Sequence, residues 1–178
     1  MQVLLLPGHS TKNIEERDAI TTALEADGHS VISHEWRHWK NSSTEFSLEE
    51  ELSRITRMLA AAGGEETLAV VGKSIGAFVA AALLSQFESH AAHTTRLILL
   101  GIPIEAAGER ERAHLREALS ALKIPITVCQ NTADPYGSAD AVQSFFEGIP
   151  VEFLTREAEN HRYAYGELIR GILRSSSS

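Results

Sequence analysis

The sequence has a single cysteine, no long apolar run and no excess of basic residues, and each of these absences excludes a class of protein. Cys129 stands alone among 178 residues, so no disulfide can form within the chain. No stretch approaches the about 18 apolar residues of a membrane-spanning helix. The N-terminus lacks the basic region of a signal peptide. A formal net charge of -8 disfavours nucleic-acid binding, which needs a basic surface. We therefore expect a cytoplasmic protein that binds neither membranes nor nucleic acids.

What the chain does contain is the composition of an ordinary soluble domain. Hydrophobic residues make up 43% of the sequence and charged residues 22%, close to the averages for globular proteins. A chain of this length can build one full hydrophobic core but not two. We expect a single domain over residues 1–174 and a disordered serine tail at 175–178.

Short apolar runs alternate along the chain with amphipathic segments. Strands are predicted at Gln2–Leu6, Ser30–Glu35, Leu68–Gly72, Arg96–Gly101, Ile124–Gln130 and Val151–Leu154. Helices are predicted at Ile14–Ala26, Leu48–Ala62, Ile75–Glu88, Glu109–Leu122, Ala139–Glu147 and Arg162–Leu173, with Gly28, Gly63 and Gly64 as helix stops. This alternation predicts an α/β fold, a three-layer α/β/α sandwich around a six-stranded, mostly parallel sheet. The short connection after the fourth strand leaves no room for a lid domain.

Ligands of open α/β sheets bind beyond the carboxyl ends of the strands, so the residues that follow each strand matter most. Ser74 follows the third predicted strand, Asp134 the fifth and His161 the sixth. A serine, an aspartate and a histidine therefore emerge at the same edge of the sheet, in that order along the chain.

Ser74 lies in Gly72-Lys73-Ser74-Ile75-Gly76, between a strand and a helix. The Gly-x-Ser-x-Gly spacing is typical of a nucleophile elbow, in which a sharp turn exposes the serine hydroxyl and the glycines leave room for close packing. A phosphate-binding loop would need a glycine at position 67, where threonine stands, and a glycine-rich loop where a strand is predicted. We therefore interpret Ser74 as a nucleophile and Lys73 as a solvent-facing residue of the elbow.

A serine hydroxyl needs a base to react at neutral pH, and His161 stands where that base belongs in the Ser–Asp–His order. Asp134 would accept the imidazole N–H and hold the correct tautomer. A helix-capping role for His161 and an Asx turn at Asp134 remain alternatives, and Asp140 is a poorer candidate for the acid. His34 and His38 have the spacing of helical metal ligands but fall in predicted strand and loop, so we expect no metal site.

The oxyanion formed during acyl transfer needs two backbone N–H donors. One is expected from Ile75, and the other from His9 or Ser10 in the loop after the first strand, where Gly8 permits close approach. Candidate residues of a substrate cleft are Trp36, Trp39, Ile102, Pro103 and Tyr136. The tryptophan pair has two alternative roles, as core packing or as an exposed surface patch that forms a dimer contact.

Four segments together resemble a small, lidless α/β-hydrolase. LLLPGHS is similar to the oxyanion strand and loop of that family, VVGKSIG to its elbow, QNTADPYG to its acid loop and ENHRY to its histidine loop. The chain is most similar to compact serine hydrolases of the retinoblastoma-binding-protein type and to dienelactone-hydrolase-like enzymes. The resemblance covers about Met1 to Leu173 and implies the strand order 2-1-3-4-5-6. Two departures, His9-Ser10 in the first loop and Lys73 before the serine, bear on substrate preference.

The expected function is hydrolysis of an ester, thioester or amide carbonyl through an acyl-enzyme, with a small carboxylesterase as the leading interpretation. Such an enzyme acts on a small-molecule acyl substrate and needs neither cofactor nor metal. Without a lid, the site is expected to be shallow and open. The alternative is a non-catalytic interaction protein on the same scaffold, since fold does not fix function.

Overall fold

The computed structural model describes residues 1–63 and 67–175. Gly64, a predicted helix stop, and 176–178 of the predicted tail lie outside the described residues. Ser175, the first residue of that predicted tail, is the last residue of a helix.

Parallel strands form one sheet in the order β2-β1-β3-β4-β5-β6, which confirms both the fold class and the strand order. The strands are β1 Gln2–Leu6, β2 Ser30–Ser33, β3 Leu68–Lys73, β4 Thr94–Leu100, β5 Ile126–Asn131 and β6 Glu152–Arg156. Strands β1, β3 and β5 are buried along their whole length, as apolar runs in a sheet covered on both faces must be.

Helices cover both faces of the sheet. Within the described residues they are α1 Ile14–Ala26, α2 Arg37–Lys40, α3 Leu48–Ala61, α4 Ile75–Gln86, α5 Glu88–His93, α6 Glu109–Ala121, α7 Ala139–Phe145 and α8 Gly166–Ser175. One core cluster joins α3, α4, α6 and α7 to alternate strand residues such as Leu4. A second cluster joins α1 and α8 to the intervening strand residues, such as Leu5, whose side chains point to the opposite face of the sheet. The three-layer architecture follows from this alternation of side chains along each strand.

Several boundaries differ from the sequence-based prediction. The short helices α2 and α5 and a 3-10 turn at Thr11–Asn13 were not predicted, because segments this short have no measurable periodicity. Helix α8 begins at Gly166 rather than at Arg162. The Tyr163 N–H donates to Glu16 at 2.9 Å, and this tertiary hydrogen bond holds the preceding residues outside the helix.

Among the described residues, no helix is long and apolar enough to cross a membrane. Residues 101–108 connect β4 directly to α6, and no further domain is inserted between them.

A buried hydrogen bond between His34 and Glu51 fixes the chain after β2. His34 Nε2 lies 2.8 Å from Glu51 Oε2, and both side chains are almost fully buried. Glu51 also accepts from Arg54 at 2.9 Å and from the Arg37 N–H at 3.1 Å. Burial lowers the pKa of His34 below its ordinary value of 6.5, although the Glu51 carboxylate partly opposes this shift.

This lowered pKa predicts a pH-dependent stability. The folded state binds the His34 proton more weakly than the unfolded chain does, so its contribution is complete above about pH 6.5 and is lost as the pH falls. We expect the free energy of unfolding to decrease by up to about 1.4 kcal/mol per pH unit for this one group. Urea unfolding of wild type and His34→Gln between about pH 7.5 and 5 measures it. A difference between the two proteins that stays constant with pH would contradict the assignment.

Candidate active site

Ser74 occupies a sharp turn between β3 and α4. Its backbone has φ 57° and ψ -120°, and it is the one non-glycine residue with positive φ in the part of the chain that the structure describes. A non-glycine residue in this region costs of order 1–3 kcal/mol and persists where the surroundings impose it. Here the Ser74 N–H donates to the Leu100 carbonyl at 2.9 Å, which fixes the turn against the neighbouring strand.

Two glycines permit this turn. A Cβ on Gly72 would lie 2.5 Å from the Gly76 carbonyl oxygen, and a Cβ on Gly76 would lie 2.9 Å from the Pro7 carbonyl oxygen. Real Cβ atoms essentially never approach backbone atoms so closely. The N-terminus of α4 therefore packs directly on the loop after β1, and this brings Ser74 and that loop to one place.

Asp134 and His161 form a close pair at the same edge. His161 Nδ1 lies 2.7 Å from Asp134 Oδ2, and the Asp134 side chain is fully buried while that of His161 remains 16% exposed. With Nδ1 engaged by the carboxylate, Nε2 is the imidazole nitrogen free to exchange a proton with a substrate or nucleophile. The structure thus brings together the aspartate and histidine that the sequence proposed.

Further donors surround the Asp134 carboxylate. The Tyr163 hydroxyl donates to Oδ2 at 2.6 Å and the Tyr136 N–H donates to Oδ1 at 2.9 Å. Burial by itself disfavours the ionised carboxyl, but hydrogen bonds from His161, Tyr163 and the Tyr136 amide outweigh it and lower the pKa of Asp134. Asp134 is therefore ionised at neutral pH and acts as an acceptor for the imidazole.

Sequence reasoning missed the residues that hold this pair. Tyr163 is fully buried and packs on Gly101, whose φ of 57° and missing Cβ make room for the phenol ring. Asn131, the last residue of β5, donates from its side chain to the carbonyls of Asn160 at 2.8 Å and Arg162 at 3.2 Å. These bonds fix the loop that carries His161. The sequence places Tyr163 only two residues after His161, but nothing in that spacing points to Asp134.

Two indole rings donate hydrogen bonds to backbone carbonyls of the loop after β1. Trp36 Nε1 donates to the Gly8 carbonyl at 2.9 Å, and Trp39 Nε1 donates to the His9 carbonyl at 2.6 Å. Trp36 is fully buried in the core, so its prediction as a cleft residue is wrong, and the tryptophan pair is not an exposed patch. Trp39 is half-buried and also faces the loop. Both rings fix the carbonyls of the loop whose N–H groups are the oxyanion-hole candidates.

The predicted N–H donors of the oxyanion hole lie around the elbow. Ile75 is the first residue of α4, and the first N–H groups of a helix have no acceptor within it. Within residues 1–63 and 67–175, the backbone hydrogen bonds of turns and loops include none that the N–H of His9 or Ser10 donates. Gly8 is needed beside them, because a Cβ there would lie 2.5 Å from the Asn13 side chain. Their role in catalysis stays a prediction.

Lys73 is buried, which corrects its prediction as a solvent-facing residue. Its ammonium donates to Asn13 Oδ1 and lies 3.7 Å from Glu16 Oε2. Asn13 in turn donates to the Ser10 carbonyl at 2.8 Å, while Glu16 accepts from the Tyr163 N–H. Burial lowers the pKa of Lys73, and the carboxylates of Glu16 and Asp134 partly oppose this. Lys73 therefore links the first loop to the histidine loop beneath the elbow.

Lys73→Met is expected to weaken this link, because methionine retains most of the apolar stem but lacks the ammonium group. Glu16 would lose its buried cation, and we expect the free energy of unfolding to fall by about 3–5 kcal/mol. Glu16→Gln in the same protein should recover part of the loss, because the carboxylate that needs the cation is then absent. Urea unfolding of the two single variants and the double variant measures the coupling energy. Additive effects of the two substitutions would contradict a direct interaction.

A cavity of about 750 Å³ opens beside Ser74, between α4 and α6. Ser74, Ile75 and Pro103 line it, together with Phe78 of α4 and Ala118 of α6. Its volume falls within the range of about 300–1,000 Å³ typical of ligand pockets. Small side chains on the two helices line this groove, and helix periodicity could not reveal it.

The remaining cleft candidates lie elsewhere. Ile102 is fully buried, and its N–H donates to the Gln130 side chain at 2.9 Å, so its prediction as a cleft residue is wrong. Tyr136 is 49% exposed and makes an edge contact with the His161 ring, at 4.9 Å between centroids, rather than lining the cavity. Pro103 is thus the one cleft candidate that the cavity includes.

Within the described residues, no group of three His, Cys, Asp or Glu side chains that could hold a metal ion is found. His34 is paired with Glu51, and His38 Nε2 contacts the His9 carbonyl at 2.7 Å while its ring stacks on His9. His34 and His38, which have the sequence spacing of helical metal ligands, therefore contact different partners.

Comparisons with known proteins fit this geometry. The profile of the alpha/beta hydrolase domain family matches residues 10–166. An alpha-beta serine hydrolase homologue from Coxiella burnetii is 17% identical, with a TM-score of 0.76 over 100% of this chain and 85% of its own. An esterase from Exiguobacterium antarcticum is 13% identical, with a TM-score of 0.78 over 100% of this chain and 92% of its own.

A thioesterase domain from the curacin biosynthetic pathway is 13% identical, with a TM-score of 0.74 over 97% of this chain and 90% of its own. No curated protein sequence matches the chain. At these identities, the solved structures establish a common fold.

Proposed function

The chain belongs to the α/β-hydrolase family, and we propose that it is a serine hydrolase in which Ser74 is the nucleophile, His161 the base and Asp134 its acceptor. The observation that carries the proposal is the 2.7 Å contact between His161 and Asp134 at the sheet edge where Ser74 occupies its strained turn. Structural ion pairs also bring histidine close to aspartate. The strained backbone of Ser74 at the same edge is what favours a catalytic role for the His161–Asp134 pair over a purely structural one.

The proposed reaction proceeds through an acyl-enzyme. His161 Nε2 takes the Ser74 hydroxyl proton while Oγ forms a bond to the substrate carbonyl carbon, and the carbonyl π electrons move onto oxygen. Collapse of this intermediate breaks the bond to the leaving group, which receives the proton from His161. Water then attacks the acyl-enzyme by the same route, releasing the acid and restoring the Ser74 hydroxyl.

The elbow supplies the electrostatic part of this mechanism. In this proposal the Ile75 N–H at the start of α4 and an N–H of His9 or Ser10 stabilise the oxyanion, and the N-terminal end of α4 favours negative charge nearby. Each donor of this kind is worth about 3–4 kcal/mol in the transition state. The Asp134 carboxylate stabilises the imidazolium that forms when His161 takes the proton.

Within hydrolases, a carboxylic ester is the proposed substrate class. Esters need less leaving-group activation than amides, and the esterase among the similar structures has the same fold. A thioester is the nearest alternative, which the thioesterase domain among those structures favours. No cofactor or metal is part of the proposed mechanism.

Initial-rate assays with one acyl group presented as ester, thioester and amide test the proposal. We expect turnover of the ester and the thioester above the buffer rate and little turnover of the amide. If purified, folded protein hydrolyses none of the three, the proposed function is wrong.

A further inference from the structure

We propose that the groove between α4 and α6 binds the hydrocarbon part of a medium- or long-chain acyl group whose carbonyl reacts at Ser74. This inference rests on the proposed function and names the substrate class of the same site. Its basis is the continuity of the cavity with the nucleophile, since Ser74 and Ile75 belong to its wall.

The groove follows the two helices away from the elbow. Residues of α4 at helical spacing, from Ile75 through Phe78 and Ala82 to Ser85, form one wall. The other wall is a similar stripe on α6, in which Leu115 and Ala118 are the apolar members nearest the core. From Ser74 to Ser85 the helix rises about 16 Å, at 1.5 Å per residue. Carbon–carbon bonds of about 1.5 Å zigzag in an extended alkyl chain and advance about 1.25 Å each, so about 14 carbons span such a length.

The chemistry of the walls suits hydrocarbon rather than a charged group. Phe78, Leu115 and the alanines at 82 and 118 offer no charge to a ligand. The ionisable lining residues are Glu111, His114 and Glu117, all exposed on α6. Glu111 is engaged with the Gly108 N–H at 2.7 Å. Two carboxylates at the rim disfavour an anionic tail.

In this proposal the leaving group and the acyl chain of an ester extend toward opposite faces of the sheet. His161 must face the leaving group to protonate it, and its loop leads into α8, which packs with α1 on one face. The groove lies on the other face, which α4 and α6 cover. A substrate carbonyl at Ser74 therefore directs its leaving group toward His161 and its acyl chain into the groove.

Exposed apolar side chains flank the site, as expected where an apolar ligand enters. Leu48 and Tyr136 are the large hydrophobic residues classed as exposed in the described part of the chain, at 39% and 49%. Leu48 lines the groove, and Tyr136 contacts the His161 ring. Both exposed apolar side chains thus lie beside the proposed substrate path.

Chain-length profiles of p-nitrophenyl esters test the proposal. For wild type we expect kcat/KM to rise about two- to fourfold with each methylene added between butyrate and octanoate, because each methylene leaves water. Ala118→Trp places an indole in the middle of the groove and should lower the ratio of octanoate to butyrate activity by about tenfold or more. Ala121→Trp, at the exposed far end, should lower activity only toward esters longer than octanoate.

Ala113→Trp is the matched control, because Ala113 lies on the same helix, is exposed and does not line the groove. It should keep the wild-type profile. A flat chain-length profile in an active wild type, or an equal effect of Trp at 113 and 118, would overturn the groove while leaving the proposed function in place.

Calorimetric titration with dodecanoate separates the two hypotheses when no ester is hydrolysed. Binding to wild type that Ala118→Trp weakens about tenfold and Ala113→Trp leaves intact would support the groove even though the proposed function had failed. Absence of binding would overturn the groove. Light scattering that shows a dimer dissociated by Ala118→Trp would also overturn it, because a second copy would then be the occupant.

Discussion

Ser74→Ala is expected to lower kcat for ester hydrolysis by about 10⁴- to 10⁶-fold, the effect of removing the nucleophile from a serine hydrolase. No other serine shares the turn between β3 and α4, so nothing replaces the lost hydroxyl. Alanine keeps the backbone in the same strained region, since Ser74 has φ 57°. Its free energy of unfolding should therefore stay close to that of wild type. Steady-state kinetics beside urea unfolding checks both expectations.

Two further variants make the Ser74 result specific. Ser53→Ala removes an exposed hydroxyl on α3, away from the cavity, and should leave turnover unchanged. Ser74→Gly should be as inactive as Ser74→Ala but more stable by about 1 kcal/mol, because glycine adopts positive φ without strain. If Ser74→Ala retained more than about a hundredth of wild-type turnover, Ser74 would not be the nucleophile.

Asp134→Asn is expected to lower kcat by about 10⁴-fold. An ionised Asp134 accepts from His161 Nδ1, whereas an asparagine can present an N–H there and select the tautomer that cannot accept the serine proton. The Tyr163 hydroxyl and the Tyr136 N–H also point at the carboxylate, so the amide nitrogen would face donors. We expect the free energy of unfolding to fall by about 1–3 kcal/mol from this mismatch.

Kinetics together with ¹⁵N spectra of the histidine rings test the role of Asp134. The His161 tautomer should change in Asp134→Asn, which a purely structural role for Asp134 does not require. Asp140→Asn is the matched control, because Asp140 is exposed on α7 and was the weaker sequence candidate for the same role. Equal loss of activity in both variants, with no change in the His161 ring, would contradict the assignment of Asp134.

The position of Ser74, Asp134 and His161 at one edge of the sheet could be predicted because each lies in the turn or loop after a predicted strand: one residue after β3, three after β5 and five after β6. Parallel strands bring their carboxyl ends to one edge, so placement after a strand puts the three residues at that edge. The same logic located the first loop. The apolar pattern of the strands and the parallel topology of the sheet were together sufficient to predict this part of the site.

The partners of these residues could not be predicted, because they meet through contacts distant in sequence. Tyr163 contacts Asp134 from 29 residues away, and Lys73 contacts Asn13 from 60 residues away. A lysine next to a nucleophile is normally solvated, and only the position of α1 relative to β3 reveals that Lys73 is buried. Trp36 was misplaced for the same reason, since its hydrogen bond to Gly8 depends on tertiary packing.

The groove was missed because a gap between helices depends on which small residues face each other. Ala82 on α4 and Ala118 on α6 are unremarkable in sequence, yet both line the cavity beside Ser74. The absence of a lid domain suggested a shallow, open site, and it gave no indication of a cavity between the two helices. Helix periodicity predicts which residues face the core, not how closely two helices approach.

Labelling with a fluorophosphonate probe tests the central claim most directly, because the probe reacts with a serine hydroxyl that a working base has activated. Wild type, Ser74→Ala and Asp134→Asn would be treated in parallel and the adduct mapped to a peptide. The account predicts one adduct on Ser74 in wild type, none in Ser74→Ala and much slower labelling in Asp134→Asn. Folded wild-type protein that stays unlabelled, or an adduct on a different serine, would contradict it.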